Sequence, residues 1–597
     1  MSHLSCHFEP RRHERELVSI IREIRAVATL DARTLHRIVR RYPKEGRSAF
    51  SKSEIIRGFR FFAPHYGWQD GASFVEKVRM KPVRTLSGVA PVTVLTRPHP
   101  CPGRCIFCPD EEGLPKSYLA REPGAQRAIQ HRFDPYRQTL GRLQALHHTG
   151  HQVDKVELII LGGTWSVYPE PYRIWFIKRC FDAMNDFAGS PGPDPEFVAG
   201  GEQASWAELE RVQITNERRH ARCIGLVVET RPDYLGEDEI RFIRRLGGTK
   251  VQIGIQSLSD PVLAANRRGH DVAAIRRATR LLREAGFKIH AHWMPNLLGS
   301  NPDADIEDFD RLFADPDFRP DELKIYPCSL IAGTELMREY ESGAWRPYTA
   351  DELLRVLSEC LLRVPPYCRV TRVVRDIPGD DITAGNKVTN LREVVERELR
   401  RRGLESRDIR AREIGREPVE VDGLRLERLE YTTSAGQELF LQYVAPGDRL
   451  VAFCRLALPR QPAFLSELAQ RAVIREVHVY GVVVPIGDRR RGPSQHLGLG
   501  RRLIGEAARI AAARGYGTLA VISAVGTRDY YRGLGFGDGE LYQHRPLPQA
   551  PTEPSTRTGG VRSDFVARSV SVPPQVASPG PVKETACAEL ASSDGAS

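Results

Sequence analysis

The sequence predicts an α/β protein of two successive units, a partial TIM-like (β/α) barrel followed by a smaller α/β domain. Three observations predict it. Short β-branched runs alternate with helical periodicity over about 240 residues, the pattern of a parallel sheet with crossover helices. A loop just after the first run carries three cysteines in the spacing C-x3-C-x2-C. Beyond residue 425 a second set of strand-like runs surrounds a glycine-rich turn that opens an amphipathic helix.

The chain has 597 residues, too many for one hydrophobic core. With 41% hydrophobic and 27% charged residues it reads as globular, and its net charge of +11 is modest for that length. No apolar run has transmembrane length, so no membrane association is expected. The 11 cysteines show no paired framework. A reducing cytoplasm is the expected compartment, where clustered thiols point to metal or catalysis.

Residues 1–80 are expected to be helical and basic. The first 60 hold 14 Lys/Arg against 7 Asp/Glu, and Leu17, Ile20, Ile21 and Ile24 recur at helical spacing. The stretch around Arg37, Arg40, Arg41 and Tyr42 suits a phosphate backbone or an ordinary solvated helix face. Residues 81–345 carry the strand-like runs Val92–Thr96, Lys155–Leu161, Cys223–Glu229, Lys250–Gln256, Lys288–Met294 and Glu322–Tyr326. Helical stretches, for example Glu237–Leu246 and Val272–Ala285, separate most of them. The Gly/Pro-rich piece from Gly189 to Gly201 reads as a surface excursion. Residues 346–425 read as an Arg-rich linker offering phosphate contacts. Residues 426–547 form the second unit, and 548–597, rich in Pro, Ser, Thr and Gly, are expected to be disordered.

Chemistry concentrates in a few places. Cys101, Cys105 and Cys108 lie among Gly103 and the prolines at 100, 102 and 109, in a loop suited to wrapping a soft metal centre. Iron–sulfur and zinc are the first candidates; a cubane held by three thiolates keeps one iron open, while a structural zinc lacks a fourth ligand beyond His99. A zinc knuckle and three unliganded thiols are the bland alternatives. Gly162-Gly163-Thr164 directly follows a strand, where glycine admits close backbone approach to a ligand, although turns use glycine anyway. In the second unit the turn at Gly498 and Gly500 leads into Leu503, Ile504, Ala507 and Ala508, and free N–H groups at such a helix start suit a pyrophosphate. Cys328, Cys360 and Cys368 are irregularly spaced and read as buried structural thiols, with a second metal left open.

These residues resemble known families. The cysteine trio with Gly162-Gly163-Thr164 resembles the radical S-adenosylmethionine enzymes. Gln495-x-x-Gly-x-Gly500 with Tyr530-Tyr531-x-x-Leu-Gly-Phe536 resembles the GNAT acetyltransferases. In this order, and with Glu229-Thr-Arg-Pro-Asp233, Asn266-Arg-Arg-Gly-His270, Leu323-Lys-Ile-Tyr-Pro327 and Arg475-Glu-Val-His-Val-Tyr-Gly481, the chain resembles the Elongator catalytic subunit and its single-chain bacterial and archaeal relatives. The resemblance covers roughly residues 80–545. Three departures stand out: the compact cysteine spacing against the longer eukaryotic one, Met294-Pro-Asn-Leu-Leu-Gly, and Arg501 after Gly500.

The resemblance implies carboxymethylation of the tRNA wobble uridine at carbon 5. Cys101, Cys105 and Cys108 would hold a [4Fe–4S] cluster whose open iron takes S-adenosylmethionine, with Gly162, Gly163 and Thr164 beside its methionyl part. Its cleavage to a 5′-deoxyadenosyl radical would activate the methyl group of acetyl-CoA. Glu476, Val477, His478 and Val479 would face the pantetheine arm. Gln495, Gly498, Leu499, Gly500 and Arg501 would bind the pyrophosphate. Tyr531 and Tyr530 would stand near the thioester, and Lys155 matches a position associated with acetyl-CoA. Without the resemblance Lys155 reads as a strand-edge lysine and the tyrosines equally as core. The implied partners are the tRNA anticodon stem-loop and an unidentified electron donor, with a homodimer left open. The rivals are a GNAT lysine acetyltransferase with a structural cluster and a non-catalytic tRNA-binding scaffold.

Overall fold

The computed structural model describes residues 8–80, 85, 88–188, 201–415, 423–460, 463–481 and 498–548. The expectations for Gln495, for the excursion at 189–200 and for the tail from 549 onward lie outside those residues.

The basic N-terminal region is helical, as its periodicity predicts. Helices Glu14–Ala26, Ala32–Arg41, Lys52–Tyr66 and Gly71–Val78 close on a core of their own that buries Leu17, Ile20, Ile21 and Ile24 against Ile55, Phe59 and Phe74. Ser51 and Glu54 form a reciprocal capping box that starts the third helix. Arg60 Nη1 donates to the carbonyl of His147 at 2.7 Å, joining this bundle to the helix Pro135–His148 of the next unit.

Seven parallel strands make the first sheet: β1 (Ala90–Leu95), β2 (Lys155–Leu161), β3 (Arg222–Thr230), β4 (Lys250–Gln256), β5 (Lys288–Trp293), β6 (Glu322–Ile325) and β8 (Arg369–Arg372). A two-residue strand, β7 (Leu330–Ile331), pairs instead with β9 (Ile382–Ala384). Spatial order in the sheet equals chain order. With right-handed crossovers, that order puts the helices on one face and curls the sheet around the other. β1 and β8 do not pair, so the barrel is open. Each of the six strand-like runs in 81–345 forms a strand, with ends shifted by a residue or two.

The stretch expected to be an Arg-rich linker is built into this unit. It supplies the helix Ala350–Arg363, the seventh strand β8 and the helix Leu391–Arg401. Several of its arginines are paired within the protein. Arg392 donates to Asp408 and to the Val370 carbonyl, Arg412 is buried on Asp448 and Gln442, and Arg401 pairs with Glu398. Counting charge along the chain overstates the free charge of this segment, because the sequence hides which carboxylates fold back onto it; Arg397, Arg400 and Arg407 remain exposed. Cys360 and Cys368 are buried in the main core and Cys328 in a separate small cluster with Cys105, Leu330 and Trp345.

The second sheet runs β10 (Arg425–Thr433), β11 (Gly436–Ala445), β12 (Arg449–Pro459), β13 (Ala472–Val479), β14 (Thr518–Val521), β16 (Gln543–Pro546) and β15 (Gly537–Asp538) in spatial order. All its pairings are antiparallel except β13 with β14. The helix Leu499–Ala513 covers β11 to β14 with its predicted apolar face, Leu503, Ile504, Ala507 and Ala508.

A cluster of buried charges joins the two sheets at the N-terminal ends of β5 and β6. Asp321, fully buried, accepts from the Ile289 amide at 2.9 Å within the first sheet. From the second sheet Arg475 Nη1 donates to it at 3.0 Å and Arg455 stands 3.4 Å away, while Arg283 of the helix Val272–Glu284 lies at 4.0 Å. Arg475 also reaches Glu438 at 3.0 Å and the Phe287 carbonyl at 2.6 Å. Glu476 bridges Lys288 and Arg455, each at 2.9 Å. Burial alone would raise the Asp321 carboxyl, but the three guanidiniums hold it far below the usual carboxylate range. Removing that one negative charge leaves three buried guanidiniums to share Glu438 and Glu476, so Asp321→Asn is expected to cost about 3 kcal/mol. Thermal unfolding checks it: a clear fall in midpoint is expected, with Asp238→Asn, an exposed pair, unchanged.

Candidate functional site

The cysteine loop follows β1 and sits over the C-terminal ends of the strands, where parallel barrels place their chemistry. Cys105 Sγ accepts from Arg268 Nη1 at 3.0 Å, and Cys101 Sγ accepts from the Gly103 amide at 3.4 Å and lies 3.8 Å from Thr164 Oγ1. A hydrogen bond from Cys108, with Arg268 and Arg231 nearby, pushes the Cys105 thiol down to about 5 despite its burial. Gly103 is required by proximity: a Cβ there would stand 2.6 Å from Arg231 Nη1 and 3.5 Å from the sulfurs of both Cys101 and Cys105. His99 does not join the thiols but packs on the Tyr168 ring at 4.6 Å.

The surroundings fit a cluster that is negatively charged once three thiolates bind it. Arg231 spends Nε and Nη2 on Asp233, which leaves Nη1 buried without a hydrogen-bond partner beside the loop. Arg268 anchors Nη2 on the Gly254 carbonyl at 2.7 Å and aims Nη1 at Cys105. Among the described residues no three His, Cys, Asp or Glu side chains are grouped for one metal ion. A cubane asks for something else, one thiolate on each of three irons. Arg231 and Arg268 lie in motifs quoted for the resemblance, yet no local pattern marks them as partners of the thiols. Only the folding of β3 and of the segment after β4 onto the loop does.

The two glycines after β2 differ in role. Gly162 has φ +136°, and a Cβ on it would collide with Thr96 Oγ1. Its carbonyl accepts from the Tyr168 hydroxyl at 3.2 Å. Gly162 is therefore needed for close packing. Gly163, at φ +92°, lines the cavity, and a Cβ on it would make only an ordinary contact with the Lys116 carbonyl at 3.7 Å; Thr164 lines the cavity beside it.

That cavity, of ≈ 990 Å³, runs from Cys101, Cys105 and Cys108 through the barrel interior to His478, Tyr480 and Tyr531 of the second sheet. The thiol loop and the second domain thus occupy opposite ends of one tube. Lys155, at the start of β2, lies about 20 Å along the strand from Gly162 and does not line the tube. It pairs in register with Arg222, which abuts Gly526 of the second domain. Burial lowers its pKa.

In the second domain β13 and β14 pair only from Ala472 to Ile474 and then part. Into the opening face Val477 and Val479, which a Cβ on Gly500 would meet at 3.7–3.8 Å, and the Tyr530 hydroxyl, which it would meet at 3.0 Å. Gly498, in the left-handed region at φ +66°, starts the helix without a side-chain cap, and its first turn holds no acid. Among the described residues, Leu499, Gly500 and Arg501 therefore present unspent N–H groups at the positive end of the helix dipole. Tyr531 is buried and lines the tube, and burial raises its pKa so that the phenol stays protonated; Tyr530 is 48% exposed beside it. His478 lines the tube as a neutral ring, burial holding it down to about 4, with Nε2 buried and without a hydrogen-bond partner. Glu476, expected to face a cofactor arm, has its carboxylate committed to Lys288 and Arg455 instead.

The Radical SAM superfamily matches residues 99–313, and the Radical_SAM C-terminal domain matches 320–401. The tRNA uridine(34) acetyltransferase of Methanocaldococcus jannaschii is 40% identical over 475 residues, 77% of this chain and 84% of that protein. The Elongator complex protein 3 of Homo sapiens is 38% identical over 478 residues, again 77% and 84%. Among solved structures, the archaeal Methanocaldococcus infernus Elp3 with an N-terminal deletion superposes with a TM-score of 0.65 at 37% identity, covering 77% of this chain and 99% of that one.

Replacing Gly162 by Ala is expected to destabilise the site by roughly 1–3 kcal/mol or more through overpacking and backbone strain. Adding Thr96→Ala should recover part of the loss, read as the thermal midpoint of G162A against G162A/T96A. No recovery would mean that Thr96 is not what excludes a side chain.

Proposed function

This chain belongs to the radical SAM family that contains the tRNA uridine(34) acetyltransferases and Elongator complex protein 3, and from that membership we propose that it converts the wobble uridine of tRNA to 5-carboxymethyluridine. The observation that carries the reading is the single cavity lined both by the three thiols and by Tyr531 and His478.

The superfamily implies a [4Fe–4S] cluster and S-adenosylmethionine. Cys101, Cys105 and Cys108 fit the cluster, and Gly163 and Thr164 stand where S-adenosylmethionine would meet backbone. Once bound, the pair supplies one-electron chemistry able to break an unactivated C–H bond. Acetyl-CoA is the proposed co-substrate, and the second domain is read as a GNAT fold. The helix start at Gly498–Arg501 binds the pyrophosphate, the parting of β13 from β14 takes the pantetheine arm between Val477 and Val479, and neutral Tyr531 offers a proton near the sulfur. Glu476 acts here as a strut that holds the second domain to the mouth of the tube. Lys155 borders the same interface from outside the tube.

For tRNA, the helix Ala32–Arg41 exposes Arg33, Arg37 and Arg40 along one side. Such a face suits a phosphate backbone, while the target base of an anticodon loop is splayed into a pocket. Changing these three arginines to Gln is expected to weaken tRNA binding and to flatten the slope of log affinity against log salt. Binding unchanged at two salt concentrations would remove this face from the interface.

The decisive assay uses the full chain, reconstituted with iron and sulfide without oxygen, and mass spectrometry of digested tRNA. Carboxymethyluridine is expected only when S-adenosylmethionine, a reductant and acetyl-CoA are all present, and Cys105→Ser should make none. Acetylated peptide formed without S-adenosylmethionine would favour a protein acetyltransferase instead.

A further inference from the structure

Residues two apart on a strand share a face, so the barrel interior is lined by a ladder of polar side chains. Those of β4, β5 and β6 are Lys250 and Gln252, His290 and His292, Glu322 and Lys324. The lysines around the cavity are not equivalent. Lys250 is held between Glu157 at 2.7 Å and Glu322 at 2.9 Å, Lys288 meets Glu476 at 2.9 Å, and Lys116 faces Asp110 at 3.8 Å.

Lys324 forms no ion pair among the described residues. Its Nζ donates to the Gln252 side-chain carbonyl, an oxygen that His292 Nε2 also meets, at 3.0 Å. An ammonium carries three protons, so donor capacity remains toward the cavity that Lys324 lines. Burying an ammonium with no carboxylate in contact is costly. Burial pushes the amine down only to about 8, partly because Glu229 lies near, so it stays largely protonated at neutral pH. Fold stability gives no reason to keep such a group.

Its position is informative. Lys324 lies two residues beyond Glu322, about 7 Å farther from the second domain and toward the thiol loop. A thioester arm entering from the Tyr531 end meets this ammonium before it reaches the loop. The groups that accept from a lone ammonium are carbonyl and carboxylate oxygens.

We propose that Lys324, fixed by Gln252, is a catalytic residue that holds the carbonyl oxygen of the acyl thioester inside the barrel and receives the carboxylate after hydrolysis. This rests on the reading that acetyl-CoA is the co-substrate. Hydrolysis breaks the carbon–sulfur bond, places the oxygen of water on the acyl carbon, and sends one of its protons to the thiolate and the other to solvent. Lys324 keeps its proton and stabilises the developing oxyanion, an effect strengthened in a site closed to water.

The test is equilibrium binding of acetyl-CoA and of CoA to the full chain and to Lys324→Met and Lys324→Arg, without turnover. The wild type is expected to prefer acetyl-CoA by about tenfold, the value of one charge-assisted hydrogen bond. K324M should lose that preference with CoA affinity unchanged, and K324R should retain it. K324M should melt no lower than wild type, since an apolar side chain replaces an ammonium that has no carboxylate in contact. Equal preference in K324M and wild type, or none in wild type, overturns the proposal. Failure of the wild type to bind either ligand overturns the acetyl-CoA reading on which it stands.

Discussion

The carboxylate of Asp321, buried among Arg475, Arg455 and Arg283, is the contact on which the rest depends. Each guanidinium comes from a different element, and Asp321 is the carboxylate that all three approach. The cluster is fully desolvated, so its members tolerate little displacement; a moved partner leaves a bare charge in a low-dielectric interior. That fixes the second sheet over the N-terminal mouth of the half-barrel. Hydrophobic contact alone, which is non-directional, would allow the two sheets to slide.

Because this junction is rigid, the barrel interior becomes a tube closed at one end by the thiol loop and at the other by the second domain. Parallel barrels usually carry their chemistry at the C-terminal ends of the strands, and the thiols obey that rule. The second domain adds a cofactor-sized opening at the other end. Between them the interior is paved with charged and polar groups rather than with the branched apolar layers of an ordinary barrel core. Lys250 is paired there with both Glu157 and Glu322, while Lys324 is left with an amide. Such a wall is expensive to bury and makes sense as a path for polar substrate atoms.

Two kinds of charged residue meet partners that the sequence does not show. Arg412, within the Arg-rich stretch 346–425, is taken up by Asp448 and Gln442, and Glu476, on a strand that lines the cavity, has its carboxylate taken up by Lys288 and Arg455. Charge on a linear string carries no sign of whether it will be paired. By contrast Leu17, Ile20, Ile21 and Ile24, or the β-branched run of β2, announce their burial through spacing, since periodicity is a local property.

Sequence by itself determined the element order, the parallel sheet, the thiol trio and the glycines around it, and enough ordered motifs to point to the family. These follow from local chemistry: alternation of strand and helix, the soft ligands of a short loop, and positions only glycine can fill. The tertiary structure alone decided that the thiol loop and the second domain line the two ends of one tube. It also decided that Arg231 and Arg268 attend the thiols, and that Lys324 is, among the described residues, the cavity lysine without an ion pair. Those facts depend on which side chains meet across strands dozens to hundreds of residues apart. That is set by packing and by the pairing of buried charges, which no local pattern records. The cysteine loop names the chemistry, and the buried Asp321 cluster gives it a direction in which to act.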